Sequence, residues 1–326
     1  MQPVEPAAQI NRYVRVCLIS PTFRVTNTAF PPANKGYNVA PAYLSGVRNA
    51  SKHQENAPKL MSRPLNPVVI VPARLAATRF PDKPLADIHG LPMIVQVLHR
   101  AMEADIGPVL VACGDREIAD AVEAAGGRAV MTDPGHPSGS DRVHEALGLF
   151  DPDRRYDTVV NIQGDLPTID PGVIAVVLDP FDVEEVDITT LAVEITEARE
   201  RTDPNVVKAV IALAGADAGA DTGANTGANA KARIGRALYF SRATVPAVAE
   251  GPHYHHIGLY GFRRDALDRF VALPPGRLEV LERLEQLRAL EAGMRIDVAL
   301  VDTVPLGVDT PADLDRARAL LASGLT

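Results

Sequence analysis

Between Val68 and Leu178 the chain alternates short runs of β-branched and other apolar residues with amphipathic stretches, and few folds accept that order. Val68–Val71, Pro108–Ala112, Arg128–Met131 and Asp157–Gln163 read as short buried strands. Helical patterns lie between them. Met93, Ile94, Val97, Leu98 and Ala101 make one buried stripe on a helix expected from about Pro92 to Ala104. A helix over Arg116–Ala125 is closed by Gly126-Gly127. Further helices are expected over Val143–Leu149 and Pro171–Leu178. Strands separated in this way predict an α/β fold with a doubly wound, mostly parallel sheet.

In such sheets ligands sit beyond the carboxyl ends of the strands. Pro72 is expected to stop the first strand there, and the following loop carries Arg74, Arg79 and Lys83. Three cations on one such loop suggest a polyphosphate; a solvated surface loop is the alternative. The junction Thr132–Arg142 offers backbone N–H groups and hydroxyls to an anion or a ribose. Ordinary capping of a helix by Ser138 or Ser140 explains the same residues. Asp165, after Gly164 at a strand end, is sited to hold a divalent cation through oxygen, or to form a turn. Thr310 before Pro311 suits a helix cap, with Asp309 just ahead of it. No Gly-x4-Gly-Lys-Ser/Thr and no Gly-x-Gly-x2-Gly follows the first strand, which disfavours P-loop kinases and dinucleotide dehydrogenases.

From Asp187 the pattern changes. Ile188–Val193, Val206–Leu213, Ala237–Phe240 and Ile257–Phe262 read as strands of a mixed extension. Between two of them, at about 214–231, runs a Gly/Ala-rich tetrapeptide repeat without large apolar residues, expected to be a flexible hairpin loop. Leu278–Glu291 reads as a single leucine-rich helix, Arg295–Val301 as a strand and Ala312–Leu321 as the closing helix. His253, His255 and His256 cluster in sequence, but no nearby cysteine completes a zinc site. Cys113 reads as a small buried residue.

Charge is unevenly distributed. The net value is −8, yet residues 1–65 carry +6 and the remainder −14. The acidic body argues against non-specific nucleic-acid binding. The basic segment lacks the order of a secretory signal and is expected to be disordered or dispensable, with Met61 as an alternative start. Two distant cysteines and the absence of a long apolar run fit a cytoplasmic protein without membrane insertion.

Several segments carry a resemblance. They are Pro72-Ala73-Arg74, Thr78-Arg79-Phe80-Pro81-Asp82-Lys83-Pro84-Leu85, Ser138-Gly139-Ser140-Asp141-Arg142 and Asn161-Ile162-Gln163-Gly164-Asp165. Ala237-Leu238-Tyr239-Phe240-Ser241-Arg242, His256-Ile257-Gly258-Leu259-Tyr260-Gly261-Phe262, Leu284-Glu285-Gln286-Leu287-Arg288 and Gly307-Val308-Asp309-Thr310-Pro311 complete the set. In this order they resemble the 3-deoxy-manno-octulosonate (KDO) cytidylyltransferases, from Val68 to Ala322. The resemblance implies a nucleotidyltransferase domain over 66–326 that makes CMP-KDO and pyrophosphate from CTP and KDO. It implies Mg²⁺ as cofactor, a homodimer, a β extension for sugar binding and dimerisation, and a role in lipopolysaccharide biosynthesis.

Site roles follow from the same resemblance. Arg74, Thr78 and Lys83 would lie along the CTP phosphates, and Ser138, Asp141 and Gln163 near the nucleoside. Asp165 and Asp309 would hold magnesium. Arg242, His256, Tyr260, Glu285 and Gln286 would line the sugar-acid site, and Arg74, Lys83, Asp165 and Asp309 form the catalytic group. The segments do not separate KDO from 8-amino-KDO, and a catalytically silent nucleotide-binding protein is a further alternative. Three departures stand out: Leu166 where the family has Glu, Asp82 where it has Gly, and Cys113-Gly114-Asp115 around a usual Ala-Thr-Asp.

Overall fold

The computed structural model describes residues 65–75, 80–213, 233–247 and 251–323. The basic segment up to residue 64, Thr78, Arg79 and the Gly/Ala-rich insert lie outside the described residues.

The first half builds as the alternation requires. Strand β1 (Pro67–Ala73) is followed by a small hairpin, β2 (Asp87–Ile88) and β3 (Leu91–Pro92), and by helix α1 (Met93–Glu103). Then come β4 (Val109–Cys113), α2 (Arg116–Ala124), β5 (Ala129–Met131), α3 (Gly139–Phe150), β6 (Thr158–Asn161) and α4 (Pro171–Val176). Pro72 does not stop β1: it lies in the parallel ladder opposite Ala112, and the strand ends one residue later. Side chains alternate along β1, with Val68 and Ile70 in one core and Val69 and Val71 in the other. The first core receives Val143, Ala146 and Leu147 of α3. The second receives Ile94, Val97 and Leu98 of α1 and Ile118 and Val122 of α2.

The second half adds β7 (Ile188–Glu194), α5 (Ala198–Thr202), β8 (Lys208–Leu213), β9 (Ile234–Ser241) and β10 (Tyr254–Arg263). It continues with α6 (Arg264–Ala272), α7 (Arg277–Glu282), α8 (Leu287–Glu291), β11 (Ile296–Val301) and α9 (Pro311–Ala322). The described strands form a nine-stranded sheet, ordered β5-β4-β1-β6-β10-β7-β11-β9-β8. Parallel pairing covers β5-β4-β1-β6 and β7-β11. The other neighbours are antiparallel, so the sheet is mixed rather than mostly parallel. One cause is that β8 and β9 pair as a hairpin across the insert, which antiparallel geometry permits.

Two expectations about helices need correction. The single helix over Leu278–Glu291 is broken in two, because Arg283 takes a left-handed conformation (φ 56°). Glu279 draws the second piece back on the first, accepting both guanidinium nitrogens of Arg288 at 2.7 and 2.6 Å. Leu284 and Leu287 are buried, while Leu281 is 69% exposed. Helix α6 was not expected, yet it buries Ala266, Leu267 and Phe270 against the sheet.

Candidate active site

The carboxyl ends of β1 and β6 open into a cavity of about 390 Å³ lined by Arg74, Lys83, Ser138, Gln163, Asp165 and Asp309. These residues come from both ends of the sequence, and the backbone explains their meeting. Val308 N–H donates to the Asp165 carbonyl at 3.0 Å. Leu306 N–H donates to Thr168 Oγ1 at 3.3 Å, so residues 306–308 lie beside 165–168. Thr310 caps α9, and Asp313 returns the bond: its Oδ2 accepts from the N–H of Asp309 and Thr310 at 3.2 and 2.9 Å. Asp309 is thereby seated opposite Asp165.

Lys83 joins the two. Its ammonium donates to Asp165 Oδ2 at 2.8 Å and to the Val308 carbonyl at 2.9 Å, and lies 3.4 Å from Asp309 Oδ1. A cation thus already lies among three hard oxygens. Two carboxylates with a carbonyl suit Mg²⁺, which is commonly held by one or two carboxylates together with substrate phosphates. Among the described residues no three His, Cys, Asp or Glu side chains converge on a metal position. The histidines of the 253–256 run turn to separate partners. His253 faces the carbonyls of Gly251 and Pro246, while His256 faces Thr190.

Gly164 is required by close approach. A Cβ there would lie 2.9 Å from the Pro72 carbonyl, which would push the Asp165 turn off β1. Leu166 is 8% exposed and packs into the core on the α1 side, so its side chain turns away from the carboxylates. Asp82 has φ 55° ahead of Lys83, a left-handed conformation that Gly adopts without steric cost.

Two further features were not assigned from the sequence. Arg142 is 2% exposed, donates to Thr132 Oγ1 at 2.6 Å and also lines the cavity. Burial, and then the neighbouring Arg74, hold its guanidinium below the ordinary value. Gly114 leaves room for it, since a Cβ would lie 2.8 Å from Arg142 Nη1. Asp115 is the second: its Oδ2 accepts Leu75 N–H at 2.7 Å and ties down the chain just beyond Arg74. The sequence signal for both lay in Ser138–Arg142 and Cys113–Asp115. Asp141 takes the proton of Ser138 Oγ at 2.8 Å and is not among the lining residues.

A second polar group lies on the α3 face of the sheet. Ser140 Oγ donates to Glu285 Oε2 at 2.9 Å, linking the start of α3 to the segment between α7 and α8. His256 and Tyr260 stand nearby on β10, their rings 5.5 Å apart. The β10–β7 register passes from Ile257↔Leu191 to Tyr260↔Thr190, so Gly258 and Leu259 bulge out. Thr190 Oγ1 lies 3.0 and 2.8 Å from the carbonyls of Ile257 and Leu259, and 3.0 Å from His256 Nε2. Carbonyls only accept, so the single hydroxyl proton goes to one of them and His256 Nε2–H donates to Thr190. The ring's Nδ1 is left as acceptor. Burial, then His255, bring the His256 pKa down to about 3, so the ring is neutral. Burial likewise raises the Tyr260 phenol. Gln286 is 5% exposed beside Glu285.

Arg242 is not brought into the cavity. Its guanidinium donates to the carbonyls of Glu282 at 2.9 Å, Pro204 at 3.0 Å and Arg283 at 3.4 Å. Lys208, fully buried, in turn donates to the Arg242 carbonyl at 2.8 Å.

A family model described as Cytidylyltransferase matches residues 68–296. A 3-deoxy-manno-octulosonate cytidylyltransferase of Rhodospirillum centenum is 64% identical over 80% of this chain and 96% of its own length. The chain belongs to that family. The enzyme of the same name from Paramagnetospirillum magneticum is 62% identical over 79% of this chain and 98% of its own. A solved structure of CMP:2-keto-3-deoxy-manno-octonic acid synthetase complexed with CTP is 36% identical. It superposes with a TM-score of 0.68, over 79% of this chain and 99% of that one. The shared architecture is that of an α/β nucleotidyltransferase, and within it the Glu-to-Leu change at Leu166 is absorbed by packing.

Proposed function

We propose that this chain transfers the cytidylyl group of CTP to KDO and releases pyrophosphate. The observation that carries the reading is the position of Lys83, between Asp165 and Asp309 and at the mouth of a cavity that Arg74 and Arg142 also line. Such a site can gather a tetra-anionic nucleotide and an anionic sugar acid only by offsetting their charge. Arg74, Lys83 and, outside the described residues, Thr78 take the phosphates. Ser138 and Gln163 face the nucleoside, with Asp141 holding Ser138. Asp165 and Asp309 hold Mg²⁺, which when bound offsets phosphate charge and acidifies the attacking hydroxyl. The anomeric hydroxyl of KDO gives up its proton to solvent as its oxygen bonds to the α-phosphorus, and the bond to the pyrophosphate oxygen breaks in line.

His256, Tyr260, Glu285 and Gln286 receive the sugar acid, with His256 Nδ1 accepting a sugar hydroxyl proton. Arg242 reaches the acid's carboxylate only after releasing the three carbonyls it now holds. The doubly wound half binds nucleotide, while the β extension binds sugar and pairs two copies. Leu238 on β9 and Val280 and Leu281 on α7 are exposed apolar side chains in support of that pairing. No helix among the described residues is long and apolar enough to cross a membrane. The reading places the enzyme in the cytoplasm, supplying lipopolysaccharide synthesis.

The test is pyrophosphate release from CTP and Mg²⁺ with KDO, 8-amino-KDO, sialic acid or no acceptor. Release with KDO alone is expected. Release with 8-amino-KDO instead would change the substrate, and none with any acceptor would overturn transfer.

A further inference from the structure

Two buried polar atoms around the second polar group have no partner, Asn161 Oδ1 and Gln286 Nε2, and a third, Glu285 Oε1, has no hydrogen bond and only the ion pair to Arg288 Nη2 at 3.8 Å. Such atoms are rare in folded proteins, because an unpaired buried donor or acceptor is destabilising. Asn161, the last residue of β6, is 1% exposed. It stands directly opposite Tyr260 in the antiparallel ladder, so the two side chains share one face of the sheet. That face is the one on which His256 meets Tyr260 and Glu285 meets Ser140. Burial raises the Tyr260 phenol and the Glu285 charge adds to the rise, so that charge is felt at the ring. Asn161 precedes the cavity-lining Gln163 by two residues, at most about 7 Å of chain beyond the end of β6. Gly139, next to Ser140, lines the same cavity. Asn161 therefore sits one step below the cavity.

We propose that Asn161 is a specificity-determining residue that reads a hydroxyl of the sugar acid. The inference rests on the reading above, which places the acid at His256, Tyr260, Glu285 and Gln286, and adds the β6 residue at the floor of that group. The chemistry of these three atoms fits a polyhydroxylated ligand. Two of them accept a proton and one donates, and each hydroxyl of a sugar can do both. A purely apolar or purely anionic ligand would leave part of the set unmatched. The carboxamide of Asn161 adds no charge, so it can lie close to an anionic acid without repelling it.

The experiment compares wild-type full-length chain with Asn161→Ala by pyrophosphate release. Both substrates are titrated, using whichever sugar acid the wild type turns over. The KM for the acid is expected to rise about tenfold, with the KM for CTP unchanged. An unchanged KM for the acid, or an equal rise for both substrates, overturns the proposal. A series of acids each lacking one hydroxyl then separates contact from packing. With one member, wild type and Asn161→Ala should show the same KM; a tenfold gap with every member overturns the proposal. Where circular dichroism shows the alanine variant unfolded, Asn161→Asp keeps the shape and sets a negative charge beside the acid. Its KM for the acid should rise more than its KM for CTP, and equal changes overturn the proposal. If the wild type accepts another sugar acid and refuses KDO, the assignment of KDO falls while this comparison still reads Asn161.

Discussion

The ammonium of Lys83 lies 2.8 Å from Asp165 Oδ2, the carboxylate to which the metal role falls. The same ammonium lies 3.4 Å from Asp309. One side chain therefore offsets part of the charge on both acids before any substrate arrives, and the trio keeps a net negative charge.

If Asp165 and Asp309 hold Mg²⁺ as proposed, the ion competes with that side chain in the nucleotide-free protein. Lys83→Met should tighten Mg²⁺ binding about tenfold in calorimetry without nucleotide, because charge-assisted hydrogen bonds to the carboxylates are lost. Turnover should fall about a hundredfold or more, since a positioned cation at the phosphates is removed. Unchanged Mg²⁺ affinity would mean that Lys83 leaves the carboxylates readily.

Stability should weaken as pH falls from 7 to 5. His256 is held neutral with a pKa near 3, and burial also lowers that of His255. An unfolded chain gains protons at these positions below about pH 6.5 while the folded chain does not, so the stabilisation is complete above that value and shrinks below it. For His256 the loss reaches about 2 kcal/mol at pH 5. Urea melts at pH 7 and 5 measure it, and His256→Gln should flatten the dependence. Asp151 acts lower on the scale. Burial alone would raise its pKa, but hydrogen bonds from Tyr156, Arg155 and Arg264 hold it at about 2, so its contribution fades only below about pH 4.

Asp82→Gly should relieve the left-handed backbone ahead of Lys83. The relief is about 1 kcal/mol, partly offset by the greater freedom of glycine in the unfolded chain. A net gain of about 0.5 kcal/mol is expected in urea unfolding, with a lower KM for CTP once the carboxylate is gone. A loss of stability would show that the exposed Asp82 side chain makes a contact that offsets its backbone cost.

On the proposed pairing the wild type should sediment as a dimer, and Leu281→Asp, on the exposed side of α7, as a monomer. An unchanged sedimentation coefficient at micromolar concentration would place the pairing surface elsewhere.

The parts of this structure legible in the sequence were those governed by local pattern. Alternation of β-branched runs with stripes such as Met93–Ala101 gave β1, β4, β5 and β6 and the helices after them, because propensity and tertiary packing agree there, but not the β2–β3 hairpin. Pro72 misled, since it lacks an N–H yet still fits the ladder opposite Ala112. The break at Arg283 was invisible, because regular leucine spacing continues through it and long-range bonds, Glu279 to Arg288 and Glu282 to Ser241, decide the geometry. The site residues were readable as motifs, but not their arrangement. Nothing near Arg242 in sequence foretells that Pro204 and Glu282 hold its guanidinium. Likewise Asn161 looked like strand interior, and only the pairing with Tyr260 gives it a neighbourhood.

Asp309 owes its seat to Asp313, on the last helix of the fold. Leu314 and Ala317 of that helix also complete a small core with Ile88, Met93 and Val308. The hairpin ahead of α1 and the carboxylate at the cavity are thus tied to one docking event. Loosening α9 would loosen both together, so damage to a distant apolar contact would be felt at the charged site.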